Sequence, residues 1–111
     1  MEYRRYEDLE EDLQEEQRVR KESVDEASRL LEPEDFHKED ELNGVSFKKS
    51  YENEDITYHC QFYIDTEADK YSSYVTSEEY GDKNTSFSQS GHIADVAEAL
   101  DKFIKFVRTL K

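Results

Sequence analysis

The sequence predicts an α+β domain: N-terminal acidic helices, an antiparallel three- or four-stranded meander, and a C-terminal amphipathic helix packed on one sheet face. Three observations carry that prediction. Residues 4–21 contain neither Gly nor Pro and are rich in Glu, Arg and Gln, side chains that favour helix. Past Asn43-Gly44 the hydrophobic period becomes two, most plainly from Ile56 to Ile64. From Ile93 to Leu110 apolar residues recur every three or four positions, the spacing of one helix face.

Taken in order, Tyr6, Leu9 and Leu13 give the first helix a narrow apolar stripe, which fades where Glu16, Gln17 and Arg20 occupy its continuation. Ser23-Val24-Asp25-Glu26 has the spacing of a capping box, in which Ser accepts from the backbone N–H three residues on and Glu reaches back. A second helix is therefore expected to start there, with Val24, Ala27, Leu30 and Leu31 as its apolar face. Pro33 ends it by disfavouring helical geometry at Glu32. Residues 34–43 read as a charged linker or short extra element with Phe36 as an anchor.

Asn43-Gly44 is a turn signal. A first strand follows with Val45, Phe47 and Tyr51 on one face, interrupted by Lys49. The second places Ile56, Tyr58, Cys60, Phe62 and Ile64 opposite Thr57, His59, Gln61 and Tyr63. The third, Lys70 to Tyr80, alternates Tyr71, Ser73 and Val75 with Ser72, Tyr74 and Thr76. Gly81-Asp82-Lys83-Asn84 is expected to connect it to a short fourth strand around Thr85 to Gln89. Connections this short exclude crossovers and require antiparallel neighbours. Ser90-Gly91 introduces the last helix, whose stripe is Ile93, Val96, Ala97, Leu100, Phe103, Ile104, Val107 and Leu110. The order is similar in outline to that of several small α+β folds, among them double-stranded RNA-binding domains and some single-strand binders. The RNA-binding domains start their last helix with basic residues, where Ser90-Gly91-His92 and Asp95 stand here, so no residue role carries over.

The chain of 111 residues suits one domain, divided on composition into an acidic helical arm, 1–43, and a sheet with its C-terminal helix, 44–111. The arm holds 17 acidic and 7 basic side chains, net −10, whereas the remainder is net −4, within a total of −14. Eleven of the fourteen Tyr and Phe residues follow Gly44, so core-forming capacity is C-terminal and charge is N-terminal. Such a balance repels nucleic acid and anionic membrane and attracts basic proteins. Cys60 is the only cysteine, which excludes an intramolecular disulfide. With no apolar run long enough for a signal peptide or a span, the expected place is the cytoplasm, the host cell's if the source is viral.

Candidates for chemistry are weak. His59 and Cys60 are neighbours on one strand and point to opposite faces, and Cys60 shares its face with Phe62 and Ile64, so it reads as a small buried hydrophobe. Asp65-Thr66-Glu67-Ala68-Asp69 resembles the start of a calcium loop, but Lys70 replaces the turn glycine and Thr76 the closing Glu. His37, His59 and His92 lack metal-ligand spacing, and three glycines leave little material for a phosphate loop. The reading is a non-enzyme without cofactor or metal.

The strongest functional signal is charge. Glu7, Asp8, Glu10, Glu11, Asp12, Glu15 and Glu16 put seven carboxylates into ten residues. On a helix they would recur every ~2 Å, near the ~1.7 Å charge spacing of duplex DNA. With Tyr3 and Tyr6 as aromatic anchors and Glu52, Glu54, Asp55, Glu78 and Glu79 from the strands, they form the expected partner-binding set. The expectation is an acidic inhibitor of a basic, nucleic-acid-binding protein, a DNA mimic that resembles the general type of phage-encoded inhibitors of host defence. The alternative is an assembly module whose N-terminal helices form a homodimer or dock on another subunit, with Arg4, Arg5, Arg18, Arg20 and Lys21 meeting acids of the facing helix.

Overall fold

A computed structural model describes the backbone of residues 2–110 and the side chains of residues 15 and 17–110. The chain forms α1 (Glu2–Leu31), β1 (His37–Glu41), β2 (Gly44–Asn53), β3 (Ile56–Asp65), β4 (Lys70–Glu79), β5 (Asp82–His92) and α2 (Val96–Arg108). The five strands make one antiparallel sheet in the order of the sequence, each neighbour joined by a short turn. Both helices pack on one face of it, since Ala27 and Leu31 of α1 and Val96, Leu100, Phe103 and Val107 of α2 share a core with Phe47, Phe62, Ile64 and Val75.

The expected pair of N-terminal helices is one continuous helix of 30 residues. Ser23 is not a cap; its Oγ reaches the Ile93 carbonyl at 3.5 Å. The reason is a second stripe. Where the Tyr6, Leu9 and Leu13 row fades, Val19, Ser23, Ala27 and Leu31 stand four residues apart, and this row docks on α2, so nothing breaks the helix between them. Pro33 ends it as expected, inside a 3-10 turn over Glu32–Glu34. Asp35, at φ 68°, returns its N–H to the Glu32 carbonyl, and the Phe36 N–H goes to that of Leu31. Phe36 is then 5% exposed against Phe103, ring centroids 5.6 Å apart.

Of the two readings of the charged segment after it, linker or short extra element, the second holds, and the element is a strand. β1 is exposed along its whole length and pairs His37 to Glu41 with Lys48 to Gly44. Residues before Asn43 thus supply both core side chains and the first strand of the sheet. Gly44 is required by close approach, because a Cβ there would meet the Ile64 carbonyl. β3 and β4 follow the predicted alternation, with Cys60, Phe62, Ile64, Tyr71, Ser73 and Val75 buried. Lys49 interrupts the buried face of β2 without an unpaired charge. Its amine donates to the Glu34 carbonyl at 2.8 Å and lies 4.5 Å from the centre of the Tyr51 ring.

β5 is longer than expected, because Asp82, Lys83 and Asn84 already pair with β4 and the turn is only Tyr80-Gly81. A bulge opposite Val75 and Thr76 leaves Ser86 as the extra residue. The strand runs into a 3-10 turn, Ile93–Asp95, where the His92 ring accepts from the Ala94 N–H. The buried stripe of α2 contains Ala99, 2% exposed, while Ala97, assigned to that stripe from spacing, is exposed. The rest of the stripe, Ile93, Val96, Leu100, Phe103, Ile104, Val107 and Leu110, is buried as expected. Fully burying a large apolar side chain contributes ~1.5–3 kcal/mol, so Phe47, Phe62, Leu100 and Phe103, each 0% exposed, dominate the stability of the sheet-helix layer.

Candidate acidic binding surface

The meander alternates its turns between the two ends of a sheet about 33 Å long, ten residues at ~3.3 Å each. Turns β2–β3 and β4–β5 therefore share one end. Register places Asn53 beside Ile56, Ile56 beside Glu79 and Glu79 beside Asp82. The structure thus gathers Glu52, Glu54, Asp55, Glu78 and Glu79, five of the residues singled out in the sequence. Asp82 joins them; sequence reading gave it to a connection, and only the pairing with Glu79 reveals its place. From β2 to β5 the sheet spans three strand spacings, about 14 Å. Six carboxylates share that width, an average of one per ~2.4 Å, of the order of the charge spacing of duplex DNA. Lys83 is the only basic residue in the segments 52–57 and 78–83.

Backbone geometry at this end is unusual. Glu54 has φ 58° and Tyr80 φ 52°, in the left-handed region, followed in the second turn by Gly81 at φ 85°. Two-residue hairpin turns need positive φ at such positions and favour Gly, Asn or Asp there; for a bulky residue the conformation is an outlier. Tyr80 nevertheless stands 82% exposed among the carboxylates, its hydroxyl donating to Asp55 Oδ2 at 2.9 Å. The other positive-φ non-glycine residues are Asp35 and Asp69, a residue type that tolerates the conformation more readily.

The run in α1 lies elsewhere. Glu15 is its one member with a described side chain; Tyr3, Tyr6, Glu7, Asp8, Glu10, Glu11, Asp12 and Glu16 fall outside the described side chains. Arg20 grips Asp69 with two hydrogen bonds of 2.7 and 3.1 Å, and Asp69 belongs to the β3–β4 turn at the opposite end of the sheet. α1 runs from that end towards Glu34, so Glu15, some 7.5 Å before Arg20 along the axis, is on the far side of the molecule from Glu54. Of the expected set, Glu15 is therefore not gathered with Glu52, Glu54, Asp55, Glu78 and Glu79. Glu15 is exposed and lies 3.7 Å from Arg18.

No protein-family model, curated protein or solved structure matches this chain. The surface must therefore be read from its chemistry. The far end of the sheet is acidic too: burial and then Asp65, Glu41 and Glu67 push the Tyr63 hydroxyl above its ordinary range. There, however, bases are engaged. Arg20 holds the Asp69 carboxyl below its usual value, and Lys48 lies 3.1 and 3.6 Å from Glu39 and Glu41.

The remaining candidates have structural partners. Asp65 Oδ1 accepts from the N–H groups of Glu67 and Ala68 at 3.0 and 2.8 Å, which ties the calcium-like segment into its own turn. Among the described residues no group of three or more His, Cys, Asp or Glu side chains is placed to hold a metal, and no helix is long and apolar enough to cross a membrane. Cys60 is buried, and burial pushes its thiol to about 11 despite Lys49 nearby. His59 points to the helix-free face. There its ring lies between Ser50 Oγ, 3.1 Å from Nδ1, and Glu78 Oε2, 3.4 Å from Nε2. Tyr74 shares that face, 37% exposed, with its hydroxyl donating to Gln61; no helix covers it.

Proposed function

We propose that this protein is a non-enzymatic acidic antagonist that occupies the basic groove of a nucleic-acid-binding protein, the sheet end of Glu52, Glu54, Asp55, Glu78, Glu79 and Asp82 standing in for phosphates. The observation that carries this reading is the exposed Tyr80 in a left-handed turn conformation amid six carboxylates. Strain of this kind costs of order 1–3 kcal/mol and concentrates at functional positions. Tyr is also a residue that dominates binding energy at interfaces. Carboxylates around it pair with Lys and Arg by charge-assisted hydrogen bonds, and the partner's own nucleic acid competes for the same bases. The run at Glu7 to Glu16 adds seven carboxylates in ten residues, suited to steering a basic partner over long range.

The test is a capture from nuclease-treated lysate with elution in a salt gradient. The expected product is a basic nucleic-acid-binding protein, released by moderate salt and displaced by added DNA or RNA. Capture of a partner that neither salt nor nucleic acid displaces would overturn the reading.

A further inference from the structure

The two edges of the sheet differ in kind. β1 has five residues, among them Lys38, Glu39, Asp40 and Glu41, net −2, the charged and short edge that blocks strand addition. β5 has eleven residues and no charge from Asn84 to Gly91. After the bulge at Ser86 its course from Phe87 to His92 is regular. Nothing of the kind that blunts β1 protects that stretch.

The helix layer indicates what the edge accepts. Phe103 of α2 touches Phe62 of β3, with ring centroids 5.5 Å apart, and Phe87 of β5 at 6.2 Å, which sets α2 above β4. A second copy joined edge to edge through β5, about a two-fold axis normal to the sheet, places the two α2 helices three strand spacings apart, about 14 Å. Packed helices sit 8–10 Å apart, so a narrow strip remains between them. Phe87 and Phe106 lie at that strip, half-buried and stacked with centroids 5.0 Å apart. The same pair from the second copy fills it.

We propose that β5 is a self-association edge through which two copies build a ten-stranded antiparallel sheet, with the Phe87 and Phe106 rings of both copies buried between the α2 helices. The axis keeps each face on its own side, so facing residues share parity. With the axis at Gln89, Ser88 meets Ser90 of the second copy and Phe87 meets its Gly91. No like charges meet across the edge, whereas two β1 strands would bring net-negative segments together. Because copies of net charge −14 repel at long range, salt strengthens this contact, opposite to its effect on the acidic partner surface. The two proposals therefore fail separately.

The experiment is analytical ultracentrifugation of the full chain over a concentration series at about 50 and 500 mM salt, wavelengths set on tyrosine, with hydrogen exchange of residues 87–91 in parallel. The wild type is expected to pass from monomer to dimer, more readily at the higher salt, with amide exchange in β5 slowing as dimer forms. The variant carrying Ser88→Lys and Ser90→Lys places two ammonium groups on exposed edge positions. It should associate at least tenfold more weakly at an unchanged urea midpoint. A wild type that stays monomeric up to several hundred micromolar would overturn the proposal, and so would a dimer that the double substitution leaves intact.

Discussion

Adjacent residues on β3 provide a direct test of which sheet face is the core. Phe62 is 0% exposed, stacked on Tyr71 with centroids 5.8 Å apart and set edge-on to Phe103 at 5.5 Å. Replacing it by Ala removes the ring from a fully buried site under α2 and should cost about 3–5 kcal/mol, a large part of the ~5–15 kcal/mol that holds a domain together. Its neighbour Gln61 points to the helix-free face, where its side-chain oxygen accepts from the Tyr74 hydroxyl at 2.6 Å. Gln61→Ala should cost no more than ~0.5 kcal/mol, as for surface substitutions generally. Urea unfolding followed by far-ultraviolet circular dichroism reads both. With a slope near 2 kcal/mol per molar urea, the midpoint should fall by about 2 M for Phe62→Ala and by about 0.25 M or less for Gln61→Ala. Equal losses, or a larger loss at Gln61, would refute the placement of both helices on the Phe62 face.

Three further outcomes follow from particular contacts. Asp69→Asn keeps a residue suited to φ 55° and removes the charge that Arg20 grips, with side chains 30% and 29% exposed; it should cost about 1 kcal/mol at neutral pH after allowance for solvent screening. Since the native carboxyl is held below its ordinary 3.8, that contribution is present above the unfolded value and lost as pH falls through the lowered one, so the wild type and variant should converge in acid-unfolding curves once the pH is below the lowered value. Tyr80→Asn relieves a left-handed tyrosine and should raise stability by up to about 1 kcal/mol in thermal unfolding, while weakening capture of the partner. Cys60, buried and pushed to about 11, should react with a thiol reagent at neutral pH only as fast as the protein opens, which stopped-flow labelling in rising urea would show as a rate that tracks unfolding.

Much of the architecture was legible because burial leaves a period in the sequence. β3 alternates over its full length and the α2 stripe is nearly continuous, so both were read closely. Elements that bury little left no such trace. β1 is a charged edge exposed on both faces, and no pattern of polarity marks a strand that contributes only backbone pairing. Ser23 misled in the opposite way, since capping-box spacing has no force inside a helix whose Val19, Ser23, Ala27 and Leu31 row is held by α2. The candidate surface needed register. Glu52, Glu54, Asp55, Glu78 and Glu79 stand out by charge alone, but that they converge with Asp82 and Tyr80, and that Glu15 lies at the other end, follows from turn parity and from the Arg20 contact with Asp69. The left-handed turns left one faint sign, the Tyr80-Gly81 pair, where Asn-Gly would have been the easier reading.

On the proposed function, the sheet-end carboxylates bind the basic groove of the partner. The most direct test of this is isothermal titration of the captured partner with the wild type and with the variant carrying Glu54→Gln, Asp55→Asn and Glu79→Gln, at about 50 and 200 mM salt. The variant is expected to keep its fold, to bind at least tenfold more weakly at low salt, a loss of ~1.4 kcal/mol or more, and to respond less steeply to salt than the wild type. Equal affinity and equal salt response in the two proteins would contradict it.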